Sequence, residues 1–312
     1  MKSVKVAIVG AGYTAREHAK AFQSIGGVTL AGIHSRTRAR AEALATELGI
    51  ERVFDSIDEL YEQTRADLVV VTVVELSMNA VAKAVFRHPW TVLLEKPAGV
   101  DLADAEDIAN AARPRGRVYV ALNRRMYAST AAALDALRTN GQPRFVHVQD
   151  QQDQAAALAA GQPAEVVRNW MFANSVHVVD YLRLFGRGVV TGVQRIVPYQ
   201  PDNPGVVVAK VDFASGDAGL YEGIWNGPGP WAASISTPAE RWELRPLESA
   251  RVQKRGERRQ QEMPADELDQ QFKPGFRRQA EAAVAAARGE ETILATIDDA
   301  LQTMRLVSAI FQ

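Results

Sequence analysis

The sequence predicts two joined folds: a doubly wound α/β domain on a parallel sheet over residues 1–122, and an α+β domain on an open, mostly antiparallel sheet over residues 123–312. Three observations carry this. Through the first 122 residues, short apolar runs alternate with helical patterns at the spacing of β-α-β units. A glycine-rich turn, Gly10-Ala11-Gly12, follows the first run directly. Beyond Asn123 that alternation stops, and apolar runs succeed one another across turn residues such as Asn226-Gly227-Pro228-Gly229-Pro230.

Residues 3–9 run apolar into Gly10 and read as a buried strand. A helix follows from Tyr13 to about Ile25, closed by Gly26-Gly27. Val28 to Ile33 is the next strand, and Thr37 to Leu48 a helix with Gly49 as its C′ residue. Ser56-Ile57-Asp58-Glu59 is a capping box for a short helix to Gln63. Asp67 to Val74, the most β-branched apolar stretch, should be a central strand. A helix to Arg87 ends at His88-Pro89, and Thr91 to Leu94 is again a strand. Asp101 caps a helix to Ala112, and Val118 to Leu122 adds a strand. In the second half, strands are expected at Arg144–Gln149, Val189–Val197, Val206–Phe213, Leu220–Trp225, Ala232–Ser236 and Trp242–Leu247, paired as an antiparallel meander. Lys254 to Glu267 reads as a solvated loop, and helices at Gly275–Ala287 and Thr296–Phe311 close the chain.

At 312 residues the chain has room for two ordinary domains, and its formal net charge of −1 gives no electrostatic case for nucleic acid or an anionic membrane as partner. No apolar run reaches membrane-spanning length. With no cysteine, there are no disulfides or thiolate sites. Met1-Lys2-Ser3-Val4-Lys5 carries no signal-peptide pattern, so a cytoplasmic location is expected.

Gly10-Ala11-Gly12-Tyr13-Thr14-Ala15 fits G-x-G-x-x-A between a strand and a helix. Gly10 permits the tight turn, Gly12 lets backbone approach a pyrophosphate, and Ala15 allows close packing of helix on strand. The phosphates then meet free N–H groups at the helix N-terminus. Tyr13 and Thr14 there, with Thr72 and Val73 in the run that starts at Asp67, join the candidate cofactor contacts. The plain alternative is a glycine turn with no ligand. An NAD site usually has an acid about 20 residues past the glycines, yet here stand Ile33-His34-Ser35-Arg36-Thr37-Arg38. Ser35, Arg36 and Arg38 suit a 2′-phosphate, so NADP(H) is expected, with NAD possible. The alternative is that Arg36 and Arg38 merely open a solvated helix face.

Val92-Leu93-Leu94-Glu95-Lys96-Pro97 sets a lysine at the carboxyl edge of the sheet, where such sheets bind ligands. There Lys96 can hold a substrate oxygen and, with Glu95, contact the cofactor, or it can be a snorkelling surface residue. His177 follows Asn174 on one helical stripe with Tyr181, and its range suits proton transfer near neutral pH. A helical histidine is more often structural. Asp180 either orients the ring or pairs within the core. Trp170 precedes this helix and is a substrate-wall candidate, while the other tryptophans are expected to pack cores or an interface. His18, His34, His88 and His147 lack metal-ligand spacing, so no metal is expected. Nor is there a G-x-S-x-G elbow.

Together, Gly10 to Ala15, Glu95-Lys96-Pro97, Asn123-Arg124-Arg125, His177-x-x-Asp180 and Asp298-Asp299-Ala300-Leu301 resemble the glucose–fructose oxidoreductase, inositol 2-dehydrogenase and rhizopine-catabolism (Gfo/Idh/MocA) family. The resemblance implies an NAD(P)-binding Rossmann domain, a C-terminal substrate domain, and a sugar, sugar-nucleotide or cyclitol-like alcohol as substrate. It implies Lys96 and His177 as the catalytic pair, with Arg124, Tyr127, Trp170 and Asn174 about the substrate. A homodimer or homotetramer through the broad sheet face is also implied. Three departures stand out. Ala173 replaces an acid four residues before the histidine, Arg168-Asn169 replaces a Gly-Gly pair, and Val73-Val74 before Glu75 replaces Thr-Pro. The rivals are a cofactor-binding sensor or scaffold that has lost turnover, and a glycosidase that uses bound cofactor for transient oxidation.

Overall fold

The computed structural model describes residues 3–312. The chain forms two compact units. One comprises the residues up to Asn123 together with Leu268–Leu301, and the other comprises Arg124–Glu267 with Gln302–Gln312.

The first unit opens with β1 (Val4–Val9), α1 (Tyr13–Gln23), β2 (Val28–His34), α2 (Arg38–Leu48), β3 (Val53–Phe54) and α3 (Ile57–Thr64). It continues with β4 (Leu68–Val71), α4 (Glu75–Val85), β5 (Thr91–Glu95), α5 (Leu102–Ala112) and β6 (Val118–Ala121). These strands are parallel and lie side by side in the order β6-β5-β4-β1-β2-β3. The order reverses between β1 and β4, the switch point where doubly wound sheets open a ligand crevice. All four residues of β4 are buried, as expected of a strand covered on both faces. It is shorter than its apolar run, because Val74 already caps α4. Local chemistry fixes the helix starts. Ser56 Oγ accepts from the Glu59 amide at 3.0 Å, and Asp101 Oδ1 from the Asp104 amide at 2.8 Å.

The second unit holds α6 (Ala128–Leu137), β7 (Phe145–Gln152), α7 (Gln154–Ala159), α8 (Ala164–Arg168) and α9 (Val176–Phe185). Then come β8 (Val190–Val197), β9 (Val206–Phe213), β10 (Ala218–Trp225), β11 (Ala232–Ser236), β12 (Glu240–Leu244), β13 (Arg251–Lys254) and β14 (Gln261–Glu262). They form an eight-stranded sheet, β14-β13-β12-β11-β7-β10-β9-β8. It is not a pure meander. β7 and β10 pair in parallel at its centre, from Phe145 opposite Ala218 to Gln152 opposite Trp225. The loop expected over Lys254–Glu267 is broken by β14, a two-residue strand whose side chains are both exposed and so leave no apolar signal. α9 packs on β7, β10 and β11 and covers one face. Alternation along β7 and β10 leaves the other face half-buried and mixed, with Phe145, Leu220 and Ile224 among His147, Gln149 and Glu222.

The chain then runs through α10 (Glu267–Gln271), α11 (Phe276–Arg288), β15 (Ala295–Thr296) and α12 (Ile297–Phe311). Here the structure departs from the expected boundary, since Leu268–Leu301 packs with the first unit rather than the second. The buried side of α11 carries Phe276 and the smaller Ala280, Ala283 and Val284, and it packs on α1 and on β1, β4 and β5. β15 adds an antiparallel edge strand to β6. Among the described residues, no helix is long and apolar enough to cross a membrane, and no group of three or more His, Cys, Asp or Glu side chains could hold a metal ion.

Candidate active site

In the first unit the crevice beside β1 is built from backbone. The Thr72 amide donates to Val9 O at 2.7 Å and the Gly10 amide to His34 O at 2.8 Å, which ties together the carboxyl ends of β4, β1 and β2. Gly10 has φ +114°, and a Cβ there would stand 2.5 Å from Thr72 O. Gly12 caps α1 without a side-chain hydrogen bond, and a Cβ there would meet nothing within 4 Å. No acid lies in the first turn of α1. The helix therefore offers uncapped N–H groups towards open space, and these fit a dinucleotide pyrophosphate.

One cleft collects Gly10, Gly12, Ser35, Arg36, Thr72 and Val73. Arg40, in the first turn of α2, also lines it, and no carboxylate does among the described residues. Arg40 stands only four positions beyond Arg36, in the same arginine-rich stretch of the sequence. Neither arginine is paired with a carboxylate among the described residues. Arg38 is different. Its guanidinium is committed to Glu42, at 2.8 Å, and to Asp55, and it lies outside the cleft. Tyr13 and Thr14 lie outside as well, and the Tyr13 ring is covered by the Lys273 ammonium at 5.1 Å.

Lys96 follows β5 directly, across a cis bond to Pro97, and is half-buried. Glu95 is not free for a ligand. Its Oε1 pairs with His18 Nε2 at 2.7 Å, and its Oε2 accepts the Lys96 amide at 3.2 Å. His18 is fully buried against Phe276, 4.6 Å between ring centroids. The acid thus anchors the backbone that carries Lys96, a tie from α1 that strand patterning could not reveal.

In the second unit, His177 opens α9 after a π-helical turn over Met171–Ser175. Such widened turns recur at functional sites. His177 is buried, with the Trp231 ring 6.3 Å away, and the Arg124 guanidinium lies 4.4 Å over that same ring. Trp231, expected in a core or an interface, is therefore a site neighbour, held by Nε1 donating to Gln151 O at 2.7 Å. Asn174 Nδ2 donates to Gln152 Oε1 at 2.8 Å. Gln152 Nε2 donates to Asp150 Oδ1 at 2.5 Å, and the Tyr221 hydroxyl to Asp150 Oδ2 at 2.8 Å. Asp150 is 1% exposed. Burial pushes its carboxyl up, against the hydrogen bonds it accepts and the charge of Arg124.

Of the two roles open to Asp180, the structure gives it the core pairing. Arg125 donates to both its oxygens at 2.6 Å, and Thr303 Oγ1 adds a third bond at 2.7 Å. Tyr181, on the same stripe as His177 in sequence, is fully buried on Thr130 and Arg124 O, and burial holds its phenol well above the usual range. Tyr127 is buried, and Trp170 is half-buried with its Nε1 shielded from solvent and unpartnered among the described residues.

Residues 4–123 match the model of the Gfo/Idh/MocA family, described as an oxidoreductase family with an NAD-binding Rossmann fold. No curated protein matches the chain. Among solved structures it is similar to UDP-N-acetylglucosamine 3-dehydrogenase from Acidithiobacillus ferrooxidans, with TM-score 0.80, 18% identity, and coverage of 99% of this chain and 97% of that one. It is similar to a levoglucosan dehydrogenase in complex with NADH, with TM-score 0.83, 15% identity and coverage of 99% and 96%. An oxidoreductase from Agrobacterium radiobacter in complex with NAD+, L-tartaric acid and magnesium gives 0.76, 16%, and 99% and 95%. At such identities the likeness is one of fold. Residues 4–123 thus carry the NAD-binding Rossmann domain of the Gfo/Idh/MocA oxidoreductases, and the family model covers that domain alone.

Proposed function

We propose that the chain is an NADP(H)-preferring oxidoreductase acting on a carbohydrate-like alcohol or the matching ketone. The observation that carries the cofactor preference is the acid-free cleft at the end of β2, with Ser35, Arg36 and Arg40 on its wall. An NAD ribose would want a carboxylate there, whereas a 2′-phosphate wants guanidinium groups that no acid already holds. For the substrate, UDP-N-acetylglucosamine and levoglucosan name the compounds of two proteins of like fold. They support a sugar or sugar nucleotide.

A bound nicotinamide supplies or takes the hydride. The protein's part is charge and protons. The Lys96 ammonium holds the reacting oxygen and favours the negative charge that grows on it. His177 accepts the hydroxyl proton during oxidation and returns it during reduction. The Trp231 ring, held by Gln151 and covered by Arg124, limits the tilt of the imidazole.

The test begins with titration of NADPH and NADH into wild type, Arg36→Ala and Arg40→Ala. A charge-assisted hydrogen bond is worth about 1.5–3 kcal/mol. Each substitution should weaken NADPH roughly ten- to a hundredfold and hardly change NADH. A wild type that prefers NADH, or equal losses for both cofactors, overturns the preference. UDP-N-acetylglucosamine, levoglucosan and myo-inositol are then followed by nicotinamide absorbance. Cofactor binding without turnover of any of them favours the sensor reading, which Ala173 motivates.

A further inference from the structure

Asp150 is a buried acid that the proposed chemistry leaves unused. A carboxylate at 1% exposure is costly to keep, and an apolar residue of similar size would serve a plain core as well. Here it is wired instead. Gln152 and Tyr221 donate to its two oxygens, Ser175 lies near, and the charge of Arg124 acts on it. The line continues through Gln152 Oε1 to Nδ2 of Asn174, in the π-helical turn and three residues before His177. Of the five residues in that turn, Asn174 alone is not buried.

The polarity of this line is set at its root. Both oxygens of Asp150 accept, Oδ2 from the Tyr221 hydroxyl and Oδ1 from the Gln152 amino group, and this turns the amino end of the Gln152 amide to Asp150. Its carbonyl end is then left to accept from Asn174. With one hydrogen of the Asn174 amino group engaged in turn, the amide is held in one orientation and Oδ1 is the acceptor it offers a ligand. An asparagine held this way takes a donor, such as a sugar hydroxyl.

We infer that Asp150 is a positioning residue which, through Gln152, presents the Asn174 carbonyl oxygen to a substrate hydroxyl, and so replaces from an adjacent strand the acid absent at Ala173. The inference rests on the proposed carbohydrate reading of this site. It assigns the acid to β7 and the contact to Asn174, and it makes the specificity one for a hydroxyl donor.

Its test is a double-mutant cycle on the panel compound with the highest kcat/KM, using the full-length protein. Asp150→Asn keeps the shape but can turn an amino group towards Gln152, which reverses the line. It should raise KM about tenfold, as should Asn174→Ala, with NADPH affinity unchanged. Because both act at one contact, the double variant should match Asn174→Ala alone. A merely structural Asp150 would lose the same factor again in the Asn174→Ala background, and that outcome overturns the inference. So does an Asp150→Asn protein with unaltered KM. Should Asp150→Asn fail to fold, Gln152→Met cuts the line while leaving the acid in place, and the same KM shift is required of it. If wild type turns over no panel compound, the carbohydrate reading falls separately. The line is then decided by the Asn174 side-chain amide protons in NMR, which must be slow to exchange in wild type and fast in Gln152→Met. Fast exchange in both overturns it.

Discussion

The two halves of the chemistry are built by different means. In the first unit the cradle beside β1 is almost entirely backbone: two glycines, the free amides of α1 and strand ends tied by Gly10 and Thr72. In the second unit the Trp231 ring beside His177 and the line of Tyr221, Asp150, Gln152 and Asn174 are side chains, most of them drawn from far apart in sequence. A backbone cradle needs residues that lack side chains, so it leaves a compact local mark. A side-chain network needs only that each polar atom meet a partner, and many residue sets satisfy that. The first kind of site is rigid by topology, the second by mutual hydrogen bonding.

The sharpest way to break this contrast is at the reacting groups. Lys96→Met and His177→Asn should each lower single-turnover hydride transfer roughly 10²–10⁴-fold. NADPH affinity should stay near wild type, because the cradle makes its contacts elsewhere. A His177→Asn enzyme with full turnover at neutral pH would send the proton by another route. Tyr181 is a poor alternative, being buried on Thr130.

A second substitution asks how far the side-chain wiring of the second unit supports the fold itself. Asp217 is buried between the Arg187 guanidinium, with donors at 2.7 and 2.8 Å, and the Arg144 amide at 2.9 Å. Burial opposes its charge, but these hydrogen bonds prevail and hold the carboxyl well below the usual carboxylate range. Asp217→Ala should cost about 3 kcal/mol, the lower end for a broken buried pair because Arg187 keeps some solvent. A depressed carboxyl stabilises the fold fully above the ordinary carboxylate value, and that stability is lost as pH falls towards the folded value. Denaturant midpoints should therefore show the wild-type advantage over Asp217→Ala shrinking below about pH 4. A difference that stays constant down to pH 2 would mean the bond acts by shape rather than charge.

The smallest effects separate the two glycines of the cradle. Gly10→Ala meets Thr72 O and a left-handed backbone, so both stability, by about 1–3 kcal/mol, and NADPH binding should suffer. Gly12→Ala has open space and φ −94°, so the melting temperature should hold while NADPH affinity falls about tenfold. Equal melting losses for the pair would show that Gly12 also serves the fold.

The same division explains what could be read in advance. The parallel sheet, the caps at Ser56 and Asp101 and the Gly10–Gly12 turn follow from short-range patterns, and the structure has them. α6 and β13 were not distinguished, because Ala-rich and short mixed segments carry little periodicity. Arg38 had the same local sequence evidence as Arg36. Glu42, one helical turn on, and Asp55, 17 positions away, hold it outside the cleft, and only the first of these was within reach of a local pattern. Glu95 is likewise withdrawn by His18, 77 positions earlier. The Asp150 line was invisible, since its members lie on β7, β10 and the turn before α9, and nothing in their spacing announces a bond.

The return of Leu268–Leu301 to the first unit bears on how the protein is made. A ribosome that has released residues 1–123 has delivered every parallel strand of the first sheet, yet neither α11 to cover β1, β4 and β5 nor β15 to close the edge at β6. For the translation of some 140 further residues, from Arg124 to Glu267, that nascent sheet waits with apolar surface and an open edge. Order of synthesis and order of completion are thus uncoupled here. A messenger truncated anywhere before the codon for Thr296 leaves its product without that closing strand.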